Sequence, residues 1–207
     1  MIQRLTLCIV ALGLSLGSSS GVAHAQTDSD SVKHVRNCRL AGQVIETGHP
    51  SPHKEWAWQY ISFCEPERRV TAYKSAMLQA RVSDDVAFIS RALLPAAGFR
   101  DGTLFEEVLS IAGDKTATVP SRVVAFMALA SMRNPRISPS YEGFIGGLDE
   151  YGAPQGGCSR RLAHERPYSP GPTALPSDFV DRIKAVAARV GDDMTEPKDV
   201  RSAAACS

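Results

Sequence analysis

Apolar residues recur every three or four positions in six successive runs between residues 32 and 134, and glycine or proline ends most of them. In the first run Val32, Val35, Cys38, Ala41, Val44 and Ile45 keep this spacing until Gly48, Pro50 and Pro52 stop it. Only a helix returns side chains to one face at that interval, so the pattern predicts amphipathic α-helices and excludes strands of period two. The same reading places helices over residues 52–64, 67–81, 84–94, 101–113 and 120–134, with Ser83 or Asp84 capping the fourth and Asp101 opening the fifth. Short Gly/Pro connections make neighbouring helices antiparallel. First helices of successive pairs begin near residues 31, 67 and 101 and second helices near 52, 84 and 119, a period of about 32–36 residues. The expected fold class is all-α: an α-solenoid of about three antiparallel helix pairs, in which stacking completes the core that no pair can build alone.

The pattern lapses over residues 135–176, which hold seven of the 13 prolines and seven of the 16 glycines. This segment reads as an irregular excursion on the surface of the repeats. A last helix follows at Ser177, with Phe179, Val180, Ile183, Val186, Ala187 and Val190 as its apolar stripe, and is expected to cap the third pair. The tail to Cys206 is expected to add a short helical turn.

At the N-terminus, a basic start at Arg4 precedes an apolar run over residues 5–16 and the small-residue ending Ala23-His24-Ala25, the pattern of a cleavable signal peptide. The run is shorter than the roughly 20 residues a membrane span needs. The expected organisation is therefore a signal peptide over 1–25, a disordered polar leader over 26–31, helical repeats over 32–134, the excursion over 135–176, and a C-terminal helix with a disulfide-pinned tail over 177–207. The expected location is the periplasm or the secreted space.

Loss of the leader removes one of the 23 basic residues, leaving 22 against 22 acidic ones. A chain without net charge lacks the clustered cations that release counterions from a phosphate backbone, so no nucleic-acid partner is expected. Four cysteines remain, Cys38, Cys64, Cys158 and Cys206, an even number suited to an oxidising compartment. Two disulfides are expected, with Cys38–Cys64 and Cys158–Cys206 favoured because each would staple one local unit. Cys38 and Cys64 sit at comparable distances from the first hairpin's turn, and their bridge is worth about 3 kcal/mol in the loop-entropy account. No CxxC pair is present, and no metal or other cofactor is expected.

The run Pro120-Ser121-Arg122-Val123-Val124-Ala125-Phe126-Met127-Ala128-Leu129 resembles the second helix of a HEAT-like (armadillo-type) repeat, and the resemblance extends loosely over residues 32–134. What it implies is a surface that recognises another protein, formed by second-helix residues and inter-helix loops, without covalent chemistry.

Catalytic signatures are sparse. Gly13-Leu14-Ser15-Leu16-Gly17 fits GxSxG but lies in the leader, without the strand, turn and helix that such an elbow requires. Ser51-Pro52-His53-Lys54 and Lys115-Thr116-Ala117 match SxxK and, loosely, KTG, in a chain too short and too helical for the enzymes that use them. His34, His49 and His53 accompany Glu46 and Glu55 in the first hairpin. His34 should stand about 20 Å, a helix length, from the other two. His164-Glu165 lies beside Arg160, Arg161 and Arg166 and reads as a solvated polar face. The aromatics are more specific: on a helix Trp56 and Tyr60 share a face, while Trp58 points about 200° away. Trp58 therefore either packs beneath the first helix or the excursion, or serves as an exposed anchor of the kind that dominates binding. Trp56, Trp58 and Tyr60 are the candidate binding residues, and no catalytic residue is assigned. The expected function is an exported, non-catalytic module that binds or scaffolds another envelope or secreted protein. The alternatives are a small hydrolase or metal-dependent enzyme using the 49–53 loop or the His164 region, and a passive structural or stress-protective protein.

Overall fold

The computed structural model of the chain describes residues 20–48, 54–99, 101–134 and 175–207, with side chains from Asp30 onward. Among these residues every regular element is helical: α1 (Ser20–Thr47), α2 (Lys54–Ile61), α3 (Pro66–Ala80), α4 (Val86–Leu93), a 3-10 turn (Leu94–Gly98), α5 (Phe105–Gly113), α6 (Val119–Arg133), α7 (Ser177–Asp192) and α8 (Lys198–Cys206). The chain divides into two units, Met1–Arg36 and Asn37–Ser207. In the first, the described residues belong to α1, Asp30 pairs with Lys33, and Val32 and Val35 are exposed. Both valines were expected on an inward stripe. The residues 26–31 expected as a disordered leader fall within α1, in a stretch with neither glycine nor proline to break it.

In the second unit α1 contributes Cys38, Ala41 and Ile45 to the core. Its C-terminal carbonyls are closed by α3: Gln79 Nε2 donates to the carbonyls of Ile45 (3.3 Å) and Glu46 (3.0 Å). Gly48 then turns the chain away at φ 62°, the left-handed conformation that ends many helices. α3 begins on Pro66, whose fixed φ and missing N–H suit a first turn. α4 is capped by Asp85, whose carboxylate accepts from the N–H groups of Ala87 (3.0 Å) and Phe88 (3.1 Å). The cap was expected at Ser83 or Asp84; Ser83 instead accepts from the Asp85 N–H. α5 starts at Phe105, later than the expected Asp101, because the Asp101 carboxylate accepts from Thr103 N–H and Gly102 sits at φ 83°.

The helices pack in two series. α3 contacts α5 and α5 contacts α7, while α4 contacts α6 and α6 contacts α8; α3 with α4, α5 with α6, and α7 with α8 form adjacent pairs. The turns within these pairs are tied to one another. Thr118 donates its N–H to Arg81 O (3.0 Å) and its hydroxyl to Ser83 O (2.6 Å), Ser121 Oγ bonds Ala80 O, and Arg81 pairs with Asp114. On the other side Lys115 Nζ reaches Asp193 at 2.7 Å. α8 is a full helix where a short turn was expected, because Val200, Ala203 and Ala204 find a buried surface on α6.

α6 is enclosed on every side: all residues from Ser121 to Met132 are buried. The sequence reading gave it one inward stripe of Val123, Val124, Met127, Ala128 and Ser131, yet Ala125, Phe126, Leu129, Ala130 and Met132 are apolar as well, and a helix apolar all round belongs in an interior. Arg122 is buried with it. Its guanidinium donates to Glu196, 2.5 Å away on the α7–α8 turn, and to the carbonyl of Ala112 at 3.3 Å.

Gly102 is a close-approach site as well as a turn. A Cβ there would lie 2.3 Å from Phe179, whose ring stacks on Phe105 with centroids 4.2 Å apart. Gly102→Ala is expected to lose about 2–3 kcal/mol from the unfavourable φ and the displaced ring. Gly98→Ala, with nothing within 4 Å of its Cβ, should lose none. Paired thermal melts check both; equal melting temperatures for the two variants would contradict this account of the turn.

Candidate binding surface

α2 turns Ala57 and Ile61 into the core, and Cys64 follows them one turn later. Cys38 and Cys64 form a disulfide with Cα atoms 5.6 Å apart, fixing the C-terminal end of α2 to α1. Both sulfurs are thereby removed from metal chemistry. Cys206 is also disulfide-bonded, whereas its expected partner Cys158 lies outside the described residues.

The three candidate aromatics are half-buried and separate into two groups. Trp56 and Tyr60 lie with centroids 5.2 Å apart, and Phe63 continues the row at 6.4 Å from Tyr60. These positions, i, i+4 and i+7, form one edge of the segment, and Phe63 at its end is 73% exposed. Trp58 faces the other way, as its helical position requires. Its ring lies 6.2 Å from both Tyr73 of α3 and Phe88 of α4. This contact with the middle of α3 and the start of α4 was not among the expected sites, and the excursion, one of those expected, lies outside the described residues. Lys54 sits 4.9 Å over Phe88. Tyr73 closes the floor of the cluster, and burial pushes its hydroxyl pKa up despite the opposing charge of Arg69. Trp58 packs on α3 and α4, Trp56 and Tyr60 are likewise half-buried against the core, and Phe63 is the member of the Trp56–Tyr60–Phe63 row that stands exposed; Phe63 was not among the residues singled out from sequence, although its i+7 spacing from Trp56 was there to be read.

His34 is half-buried on α1, and His49, His53, His164 and the arginines around His164 lie outside the described residues, as does Gly13–Gly17. Lys115 of the KTG-like match is held by Asp193, whose hydrogen bond raises its pKa, the wrong direction for a general base. Among the described residues no helix is long and apolar enough to cross a membrane. No known protein family, curated protein or solved structure matches this chain.

Proposed function

We propose that the chain is an exported, non-catalytic binding module, an α-solenoid of HEAT-like helix pairs that docks on another envelope or secreted protein through the aromatic edge of α2. The observation that carries this reading is the i, i+4, i+7 row of Trp56, Tyr60 and Phe63, ending in an exposed phenylalanine. That spacing is how a helix inserts anchors into a partner's apolar groove, and large aromatic side chains supply much of the energy at such contacts. The repeat architecture is supported by the succession α3–α5–α7 beside α4–α6–α8 and by the tied intra-pair turns. α7 and α8 pair where a single capping helix was expected, which is consistent with a further repeat unit. The oxidised Cys38–Cys64 pair suits the periplasmic or secreted location and the removal of residues 1–25. With α6 enclosed, the recognition surface falls to α2 and the inter-helix turns, not to the face of the third pair's second helix.

The test is affinity capture of the partner from the envelope fraction by the parent, followed by titration of the purified partner against Phe63→Ala and Trp56→Ala. Phe63→Ala is expected to weaken binding about 30-fold, the loss typical of a single aromatic anchor, without lowering the melting temperature. Unchanged affinity in both variants would remove the α2 edge as the docking site.

A further inference from the structure

Met194 lies in the turn between α7 and α8 and is 77% exposed, whereas Met77, Met127 and Met132 are at most 2% exposed. One side chain rests on its sulfur. Arg201, in the first turn of α8, donates from Nη1 to Met194 Sδ. A thioether is a weak acceptor, so this bond returns little of what a guanidinium N–H gives up on leaving water. The carboxylates of the same turn are already engaged: Asp193 accepts from Lys115 Nζ at 2.7 Å and from Thr195, and Glu196 accepts from Arg122. Among the described residues Arg201 Nε, too, is buried with no hydrogen-bond partner. The turn therefore pairs an accessible thioether with a guanidinium that lacks a strong acceptor.

We propose that Met194 is an oxidation site: hydrogen peroxide converts it to the sulfoxide, and Arg201 holds the oxygen that is added. A sulfur lone pair attacks one peroxide oxygen, and the S–O bond forms as the O–O bond breaks. The sulfur gives up two electrons; the departing hydroxide takes the proton from the transferred oxygen and leaves as water. The flexible methionine side chain turns the new oxygen to the guanidinium, which then donates to a strong acceptor in place of a weak one. Methionine oxidation commonly disrupts a protein because the polar product no longer suits a core or an apolar contact. At Met194 the side chain stands in water beside a cation, so the product fits its surroundings better than the thioether does. The three buried methionines meet peroxide only when their helices open. A thiol-dependent sulfoxide reductase reverses the step. No residue of α2 takes part, so the site stands or falls independently of the docking edge.

The test is graded hydrogen peroxide on the folded, disulfide-intact protein, with peptide mass mapping and melting curves before and after. Met194 is expected to gain one oxygen atom before Met77, Met127 or Met132 does. The melting temperature should then rise by about 2–4 °C, the return from one improved hydrogen bond in a chain of this size. Met194→Leu, at an exposed position, should abolish both the early mass gain and the rise. In Arg201→Ala the mass gain should persist and the rise disappear. The side-chain N–H resonances of Arg201 in the isotope-labelled parent answer the same question without a variant, since they should shift on oxidation. Oxidation of the buried methionines as fast as Met194, an unchanged or lower melting temperature for the oxidised parent, or unmoved Arg201 resonances would each overturn the proposal.

Discussion

Arg122→Ala is expected to lower folding stability by about 3–5 kcal/mol, the cost of leaving one half of a buried ion pair without the other. Side-chain exposure is 3% for Arg122 and 4% for Glu196, and the pair joins the start of α6 to the α7–α8 turn. For a chain of this length such a loss lowers the melting temperature by roughly 6–20 °C. Replacing both members with apolar residues, Arg122→Met with Glu196→Leu, removes the stranded charge and should restore parental stability or exceed it. The same pair gives a pH dependence. Arg122 hydrogen-bonds the charged form of Glu196 and lowers its pKa, and Lys115 does the same, more strongly, for Asp193. A depressed carboxyl pKa stabilises the fold at pH values above the unfolded carboxylate range, near about 4, and that contribution disappears as the pH falls through the folded value. Melting curves should therefore shift downward on acidification below about pH 4, with a shallower slope for Glu196→Gln. An Arg122→Ala melt matching the parent's would show that the clasp does not hold these elements together.

Breaking the Cys38–Cys64 bridge is expected to cost about 3 kcal/mol, because the cross-link closes a loop of sequence separation 26 and restricts the unfolded chain accordingly. The melting temperature should fall by roughly 6–12 °C. Chemical reduction would also open the Cys206 disulfide, so the double variant Cys38→Ala with Cys64→Ala isolates the effect. The consequence for α2 is local as well as global. That helix has only eight residues, too few to persist alone, and its aromatic edge depends on being held at its C-terminal end. Binding through Phe63 should weaken in the double variant even below its melting transition. A variant that melts and binds as the parent does would contradict both points.

The helix sequence was readable because it depends on local spacing: Ala72, Tyr73, Ala76, Met77 and Ala80 of α3, and Ile183 and Val190 of α7, turn inward as their 3.6-residue period requires. Gly48 and Pro66 likewise punctuate the chain where their backbone chemistry dictates. Long-range effects escaped the spacing. Arg122 figures in the sequence reading only within the HEAT-like run, and nothing in its local spacing points to Glu196, 74 positions away. Trp58 has no helix-local partner, and its contacts with Tyr73 and Phe88 follow only from how three helices meet. The start of α5 was misplaced because an Asp followed two positions later by Thr closes a turn on itself as readily as it caps a helix. At the candidate site, Trp56 and Tyr60 were visible as a pair, and Phe63 extends their row past the end of α2.

The enclosure of α6 also bears on how the chain is made. α4 and the 3-10 turn, which cover one part of α6, precede it, but α8 follows after about 65 further residues. At ribosomal speeds of about 5–20 residues per second that interval is roughly 3–13 s. Throughout it the part of α6 that α8 covers in the folded chain has yet to meet the helix that buries it, so the core around α6 closes only when residues 198–206 arrive.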